Sequence, residues 1–319
     1  MIRWGILGAG NIAGRFAASL QQADDACLYA VSGRNEGKVK SFAEKYPCQR
    51  QYVGHANLLC DEQVDAVYIA LPHGLHHEWA LKAMRKGKAV LCEKPAMMNA
   101  EEMRDIAQCA RETGVLFMEA MKTRFLPLYR ELRKLIQEEL LLGDIVRVET
   151  SQCILFPKEM WGKTYHTDPY MGGALLDCGI YAASWIEDYI EGKLLSCNVQ
   201  AMVTEGIDTY VNAALQFEGA EGVLETGFDR ELPKRAVLYG TKGRAEILNE
   251  HRPERAFITL NGQEPYELAV PYDHDDFYSQ IIHFNQLLES GERESQIMPS
   301  TASIRCAELL DAIRQEIQR

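Results

Sequence analysis

The chain opens on a short apolar run, Ile2-Arg3-Trp4-Gly5-Ile6-Leu7, that leads straight into Gly8-Ala9-Gly10-Asn11-Ile12-Ala13. A glycine turn of the form G-x-G-x-x-A set between a strand and a helix leaves few choices of fold. Gly8 makes the tight turn and Gly10 lets the backbone approach a pyrophosphate. Ala13 is small enough for the helix continuing through Arg15-Phe16-Ala17-Ala18-Ser19-Leu20 to pack against the strand. The arrangement predicts a dinucleotide at the N-terminus of that helix, with Asn11 and Ile12 in its first turn.

Apolar runs recur downstream at 27–32, 64–71, 89–92 and 115–118. Helical stretches at 12–22, 36–46, near 57–60, 78–86 and 100–112 separate them. The runs are continuously apolar rather than alternating, as expected of strands covered on both faces. The fold class is therefore α/β, an N-terminal Rossmann domain with a doubly wound parallel sheet, and ligands belong at the carboxyl ends of its strands. Those ends carry Gly8–Ala13, Ser32-Gly33-Arg34, Leu71-Pro72-His73, Glu93-Lys94-Pro95 and Glu119-Ala120.

The end of the second strand bears on which nicotinamide cofactor is used. An acidic residue about 20 positions after the turn selects the ribose 2′-hydroxyl of NAD. Here the stretch reads Val31-Ser32-Gly33-Arg34-Asn35, with no carboxylate before Glu36. A hydroxyl beside a guanidinium suits a 2′-phosphate, so Ser32 and Arg34 predict NADP, with NAD as the weaker partner.

At 319 residues the chain should hold two domains, 1–122 and 123–319, divided where the last parallel strand ends. The net charge of −12 argues against nucleic acid. No apolar run approaches the roughly 20 residues needed to cross a bilayer, and no signal-peptide core precedes the glycine turn. The nine cysteines are scattered singly, which suits reduced thiols and a cytoplasmic location. His73, His76 and His77 lack a further ligand at a usual spacing, so no metal is expected. In the second half, a helix is expected over 128–141. Alternating runs at 145–154, 195–204, 208–217, 222–226, 235–239, 244–248 and 256–260 predict an antiparallel sheet with helices on one face. The acidic run Tyr272-Asp273-His274-Asp275-Asp276 precedes a helix over 277–288 and complements its N-terminus. A last helix is expected over 301–318, packing back on the first domain.

Val90-Leu91-Cys92-Glu93-Lys94-Pro95, taken with the N-terminal turn, resembles the Gfo/Idh/MocA family of NAD(P)-dependent oxidoreductases. The resemblance extends through Pro72-His73-Gly74-Leu75-His76, matching at Pro72 and His76 but departing at His73. It continues through Met118-Glu119-Ala120, Arg124-Phe125-Leu126-Pro127 and Gly172-Gly173-Ala174-Leu175-Leu176-Asp177-Cys178-Gly179-Ile180-Tyr181. Tyrosine at the end of that last segment, where many members have histidine, is similar to the dihydrodiol dehydrogenase and glucose–fructose oxidoreductase branch. The resemblance implies Lys94 beside the nicotinamide and a C-terminal α+β domain whose open, mostly antiparallel sheet pairs subunits. It also implies cofactor contacts from Leu71, Pro72, His76, Glu93 and Glu119, and an alcohol or polyol substrate of the sugar, inositol or trans-dihydrodiol type.

Hydride transfer from an alcohol carbon needs a group that takes the hydroxyl proton. Asp177 and Tyr181 are four apart on a helix expected over 173–189, so they share a face. A phenol with a pKa near 10 needs a neighbouring cation to serve as a base near neutrality. Tyr181 is accordingly assigned as acid/base, Lys94 as its electrostatic partner and substrate-oxygen ligand, and Asp177 as substrate orienter. The alternative, in which Lys94 shuttles the proton and Tyr181 binds substrate, stays open. Gly179, between the two, is expected to leave room for cofactor or substrate. Arg124, Phe125, Trp161 and Tyr165 complete the expected substrate-binding set, the last two from an aromatic loop over 156–171. Two rival functions share this fold: a non-catalytic NAD(P)-binding sensor and an NAD-dependent glycosidase.

Overall fold

The strand–turn–helix is present in the computed structural model, which describes residues 1–317: β1 (Ile2–Leu7) turns through Gly8 into α1 (Asn11–Leu20). Gly8 has φ +111°, and a Cβ there would lie 2.4 Å from Ala70 O, so no other residue fits without moving the backbone. The unit built on this turn continues with β2 (Ala26–Gly33), α2 (Glu36–Lys45), β3 (Arg50–Val53), α3 (His55–Leu59) and β4 (Ala66–Ile69). It ends with α4 (His76–Arg85), β5 (Ala89–Glu93), α5 (Ala100–Thr113) and β6 (Phe117–Ala120). All pairs are parallel and the order is β3-β2-β1-β4-β5-β6. The order reverses direction between β1 and β4, which opens a crevice at their carboxyl ends. Gly8–Ala13 and Leu71-Pro72 follow those two ends. Strand β3 was not expected, because this edge strand is four residues long and largely exposed and so lacks an apolar run.

The second unit carries an eight-stranded sheet. It comprises α6 (Pro127–Arg133), β7 (Ile145–Cys153), α7 (Ile180–Tyr189), β8 (Leu194–Thr204), β9 (Ile207–Phe217) and β10 (Glu221–Gly227). It continues with β11 (Arg235–Gly240), β12 (Gly243–Leu248), β13 (Arg255–Leu260) and β14 (Tyr266–Ala269). The order is β14-β13-β12-β11-β7-β10-β9-β8. Every pair is antiparallel except β7 with β10. Period-two burial is plain in β9, where Ile207, Thr209, Val211, Ala213, Leu215 and Phe217 are buried and the residues between them are not. Two expected helices contain π turns. The 128–141 stretch passes from α6 into a π turn at Lys134–Glu138, and α7 is preceded by one at Leu175–Gly179.

The chain divides after Lys122, and a later stretch returns to the first unit. The first unit comprises Met1–Lys122 and His274–Ser303, and the second comprises Thr123–Asp273 and the chain from Ile304. Helix α8 (Tyr278–Ser290) therefore belongs to the first unit. Trp4 Nε1 donates to Asn285 Oδ1 at 3.1 Å, and Asn285 Nδ2 donates to Asp25 Oδ1 at 2.9 Å. Asp275 Oδ1 accepts from Phe277 N and Tyr278 N at 2.8 and 3.1 Å, as helix-start complementarity requires. Asp276 instead turns inward, 3% exposed, and pairs with both Arg15 and Lys122. The last helix, α9 (Ser300–Ile317), falls mostly in the second unit, where Arg305 Nη2 donates to Ile190 O at 2.8 Å. Its first four residues, Ser300–Ser303, count with the first unit, and the Gln318 end of the expected helix lies outside the described residues.

Gly8→Ala should lower the stability of the first unit by roughly 1–3 kcal/mol, because a left-handed φ and a backbone clash coincide there. Chemical denaturation of the variant checks this; an unchanged unfolding midpoint would refute it.

Candidate functional site

The N-terminus of α1 is built for an anion. Gly10, its N-cap, is extended (φ −99°, ψ −173°), offers no side-chain cap, and is followed by no acidic residue in the first turn. A Cβ on Gly10 would meet nothing within 4 Å, so the surface there is open. Asn11 and Ile12 are exposed, whereas Ala13 is fully buried. First-turn N–H groups without partners, the positive end of the helix dipole and open space suit a pyrophosphate.

Lys94 sits half-buried on the loop after β5, and its neighbours fix that loop. Ala96 N donates to Glu119 Oε1 at 2.9 Å, the Lys94–Pro95 peptide is cis, and the Tyr68 hydroxyl donates to the Glu93 carboxylate. His76 is fully buried, with Nδ1 3.0 Å from Pro95 O and Nε2 2.7 Å from Leu71 O. It thereby ties the loop after β4, with Leu71 and Pro72 half-buried, to the loop bearing Lys94. Burial pushes its pKa below the usual range, against the pull of the two carbonyls. Burial likewise raises the Glu93 carboxyl, against the Tyr68 hydrogen bond and the charges of Lys94 and Lys122. His76 and Glu119, expected at the cofactor, thus serve to position the loop. His73 is buried with its ring 5.8 Å from that of His76, and His77 Nε2 lies 2.7 Å from Asp105 Oδ2. Among the described residues, no group of three His, Cys, Asp or Glu side chains is placed to hold a metal ion.

At the end of β2 the two expected 2′-phosphate ligands part company. Arg34 is exposed, but Ser32 is 0% exposed. The Ser32 hydroxyl lies 3.2 Å from Ile6 O, to which it donates, and 2.8 Å from His55 Nδ1. Ser32 faces the interior and cannot take a phosphate as placed. His55 was missed by sequence reasoning, since nothing near it in the chain signals a partner 23 residues earlier.

In the second unit, Asp177 lies in the π turn and Tyr181 in the first turn of α7. A π turn closes on i→i+5, so residues four apart still share a face, and such turns recur at functional sites. Asp177 is half-buried while the other residues of 173–180 are buried, and Tyr181 is 8% exposed. The segment is anchored at its start: Leu175 N donates to Asp208 Oδ2 at 2.6 Å. A Cβ on Gly173 (φ +102°) would lie 2.0 Å from Asp208 Oδ1, so only glycine admits that carboxylate. Gly179 makes room for neither cofactor nor substrate, since a Cβ there would meet Leu175 Cδ1 at 3.1 Å and Thr226 Cγ2 at 3.4 Å. It allows the helix to lie close to β10.

Arg124, expected to bind substrate, is 2% exposed. Its Nε donates to Ser184 Oγ and its Nη2 to Ser184 O, each at 2.8 Å, and it pairs with Glu187 and Asp188. Asp188 is the strongest of the charges that hold its pKa above the usual range against burial. Arg124 and the buried Phe125 are anchors rather than substrate-facing groups. Trp161 and Tyr165 remain half-buried on the aromatic loop, which is organised around Phe156. The Phe156 ring lies 6.3 Å from Trp161, 5.7 Å from His166 and 5.1 Å from Phe228. Phe228 packs with Ala174 and Cys178, so the loop rests on the segment that carries Asp177.

With this geometry in view, the chain belongs to the GFO/IDH/MocA oxidoreductase family. It matches the family's NAD-binding Rossmann fold over residues 2–121 and its C-terminal domain over residues 129–246. Among relatives, trans-1,2-dihydrobenzene-1,2-diol dehydrogenase of Mus musculus is 32% identical over 330 residues, covering 99% of this chain and 97% of the relative. The scyllo-inositol 2-dehydrogenase (NADP(+)) of Bacillus subtilis is 29% identical over 323 residues, again covering 99% and 97%. A 3-ketoreductase from Actinomadura kijaniata, solved with NADP and TDP-benzene, superposes with a TM-score of 0.88 at 27% identity, covering 99% of this chain and 97% of that one.

Burial raises the Asp208 pKa from 3.8 to about 6. Between those values the folded chain keeps a proton that the unfolded chain has lost, so this group makes stability fall as pH rises through the window. Asp208→Asn should remove that part of the slope, read from unfolding midpoints at pH 4 to 7 (about the window of the shift). An identical slope in the variant would refute the assignment.

Proposed function

We propose that this protein is an NADP-preferring dehydrogenase of an alcohol or polyol, in the class of sugars, inositols and trans-dihydrodiols. The observation that carries the reading is the uncapped, acid-free start of α1 over open space at Gly10, in a sheet whose order reverses beside it. The residues there fit a dinucleotide, with Gly8, Gly10, Asn11, Ile12 and Ala13 around the pyrophosphate and Leu71, Pro72, Glu93 and Lys94 toward the nicotinamide. When bound, the nicotinamide supplies the hydride acceptor or donor. Arg34, exposed at the end of β2, is the group for the 2′-phosphate.

In this reading the Tyr181 phenol takes the substrate hydroxyl proton on oxidation and returns it on reduction. Asp177 accepts a hydrogen bond from a substrate hydroxyl and so orients the carbon that loses hydride. The Lys94 ammonium steadies negative charge on the reacting oxygen and favours the ionised phenol. Trp161 and Tyr165 offer apolar faces with polar edges, suited to a ring bearing hydroxyls. The relatives acting on a dihydrodiol and an inositol support this substrate class. The second unit is assigned substrate binding and pairing of subunits through the open face of its sheet, and a cytoplasmic location is assigned on the scattered single cysteines. No described helix is long and apolar enough to cross a membrane.

Initial rates of NADPH formation across sugars, inositols and trans-dihydrodiols test the reading, repeated with NAD and with Tyr181→Phe. Turnover with NADP that collapses in the variant is expected; cofactor binding without turnover of any member would overturn it. Arg34→Ala should weaken NADP by about tenfold or more and NAD little, by removal of one charge-assisted contact. Equal losses for the two cofactors would sink the 2′-phosphate role.

A further inference from the structure

The turn between β12 and β13 gathers groups that the proposed reaction leaves unused. Asn249 has a left-handed φ of 55°, and Arg252 N donates to Asn249 O at 2.7 Å. Glu250, in the bend, is 0% exposed. Its carbonyl accepts from Trp185 Nε1 at 3.1 Å, which fastens the turn to α7. With the Gln152 amide assigned so that its nitrogen faces Glu250, the carboxylate accepts from Nε2 at 2.8 and 3.1 Å, which fastens the turn to β7. His251 follows: its carbonyl accepts from Thr123 Oγ1 at 2.9 Å, and its Nδ1 lies 3.7 Å from Glu250 Oε2. Its ring meets that of Tyr181, with centroids 5.7 Å apart and planes at 57°.

Trp185 and Tyr181 are four residues apart on α7 and share a face. The turn touches that face at both, once by a hydrogen bond and once by a ring contact. We propose that His251, on a turn fastened to α7 and β7 through Glu250, is a positioning residue for the Tyr181 phenol. This rests on the reading of Tyr181 as proton carrier. A phenol that gives up and regains a proton at one substrate atom must hold one ring orientation, and an imidazole packed against it from a turn fastened to the same helix restricts the alternatives.

A double-mutant cycle tests the proposal with the best substrate of the panel and saturating cofactor. kcat, KM and thermal unfolding are read for the parent, His251→Gln, Tyr181→Phe and the double variant. His251→Gln should lower kcat by about tenfold with KM changed by less than about twofold, and should lower it no further in the Tyr181→Phe background. Equal factors in both backgrounds, or an unchanged kcat, would overturn the proposal. Should His251→Gln not fold, Glu250→Gln is read in the same cycle by the same criteria. Full turnover in Tyr181→Phe removes the reading of Tyr181 and this inference together, whereas additivity removes the inference alone.

Discussion

Two backbone carbonyls face one buried imidazole, and the reactive end of the first unit depends on it. Leu71 O ends the path from β4 and Pro95 O lies in the loop from β5, with His76 reaching both. Parallel strands fix their own spacing but say nothing about the loops that leave them. A side chain that hydrogen-bonds across two such loops converts strand register into loop position. Glu119 does the same from β6 through Ala96 N, so Lys94 stands on a backbone held from both neighbouring strands.

The second unit solves a comparable problem on a helix. Asp208 holds the start of the segment at Leu175, Arg124 holds the later turns at Ser184 and Glu187, and the Glu250 turn grips Trp185 between them. Buried charges at such positions are costly unless partnered, and these are partnered by donors and acceptors from different elements. Asp177 and Tyr181 thus project from a helix with little freedom to slide. The π turn beneath them gives up regular hydrogen bonding for a wider backbone, a cost the anchors offset.

Much of this was legible in the sequence where one residue type serves one local need. The glycine turn, the Glu93-Lys94-Pro95 loop and the Asp177–Tyr181 spacing signal themselves within a dozen residues. What escaped was set by distant partners. Ser32 looked like a phosphate ligand because its inward bond depends on His55. Arg124 looked like a substrate ligand because a guanidinium is seldom buried, and its partners lie about sixty residues on. His251 carried no pattern at all, since Thr123 and Tyr181, which it meets, lie far back in the chain. Edge strands β3 and β14 were missed because exposure removes the apolar run that marks a strand.

The Arg15–Asp276–Lys122 triad and the Trp4–Asn285–Asp25 chain of hydrogen bonds bear on how the molecule is made. Each joins the opening of the polypeptide to a stretch that leaves the ribosome only after the entire second sheet. The unit begun first is therefore among the last completed, and its earlier part must wait, with α8 absent, while the intervening chain folds. The face of Trp4 that packs on Phe284 has no partner until α8 is made. Cutting the gene after Lys122, one residue past the end of the family's Rossmann match, would make that waiting state permanent.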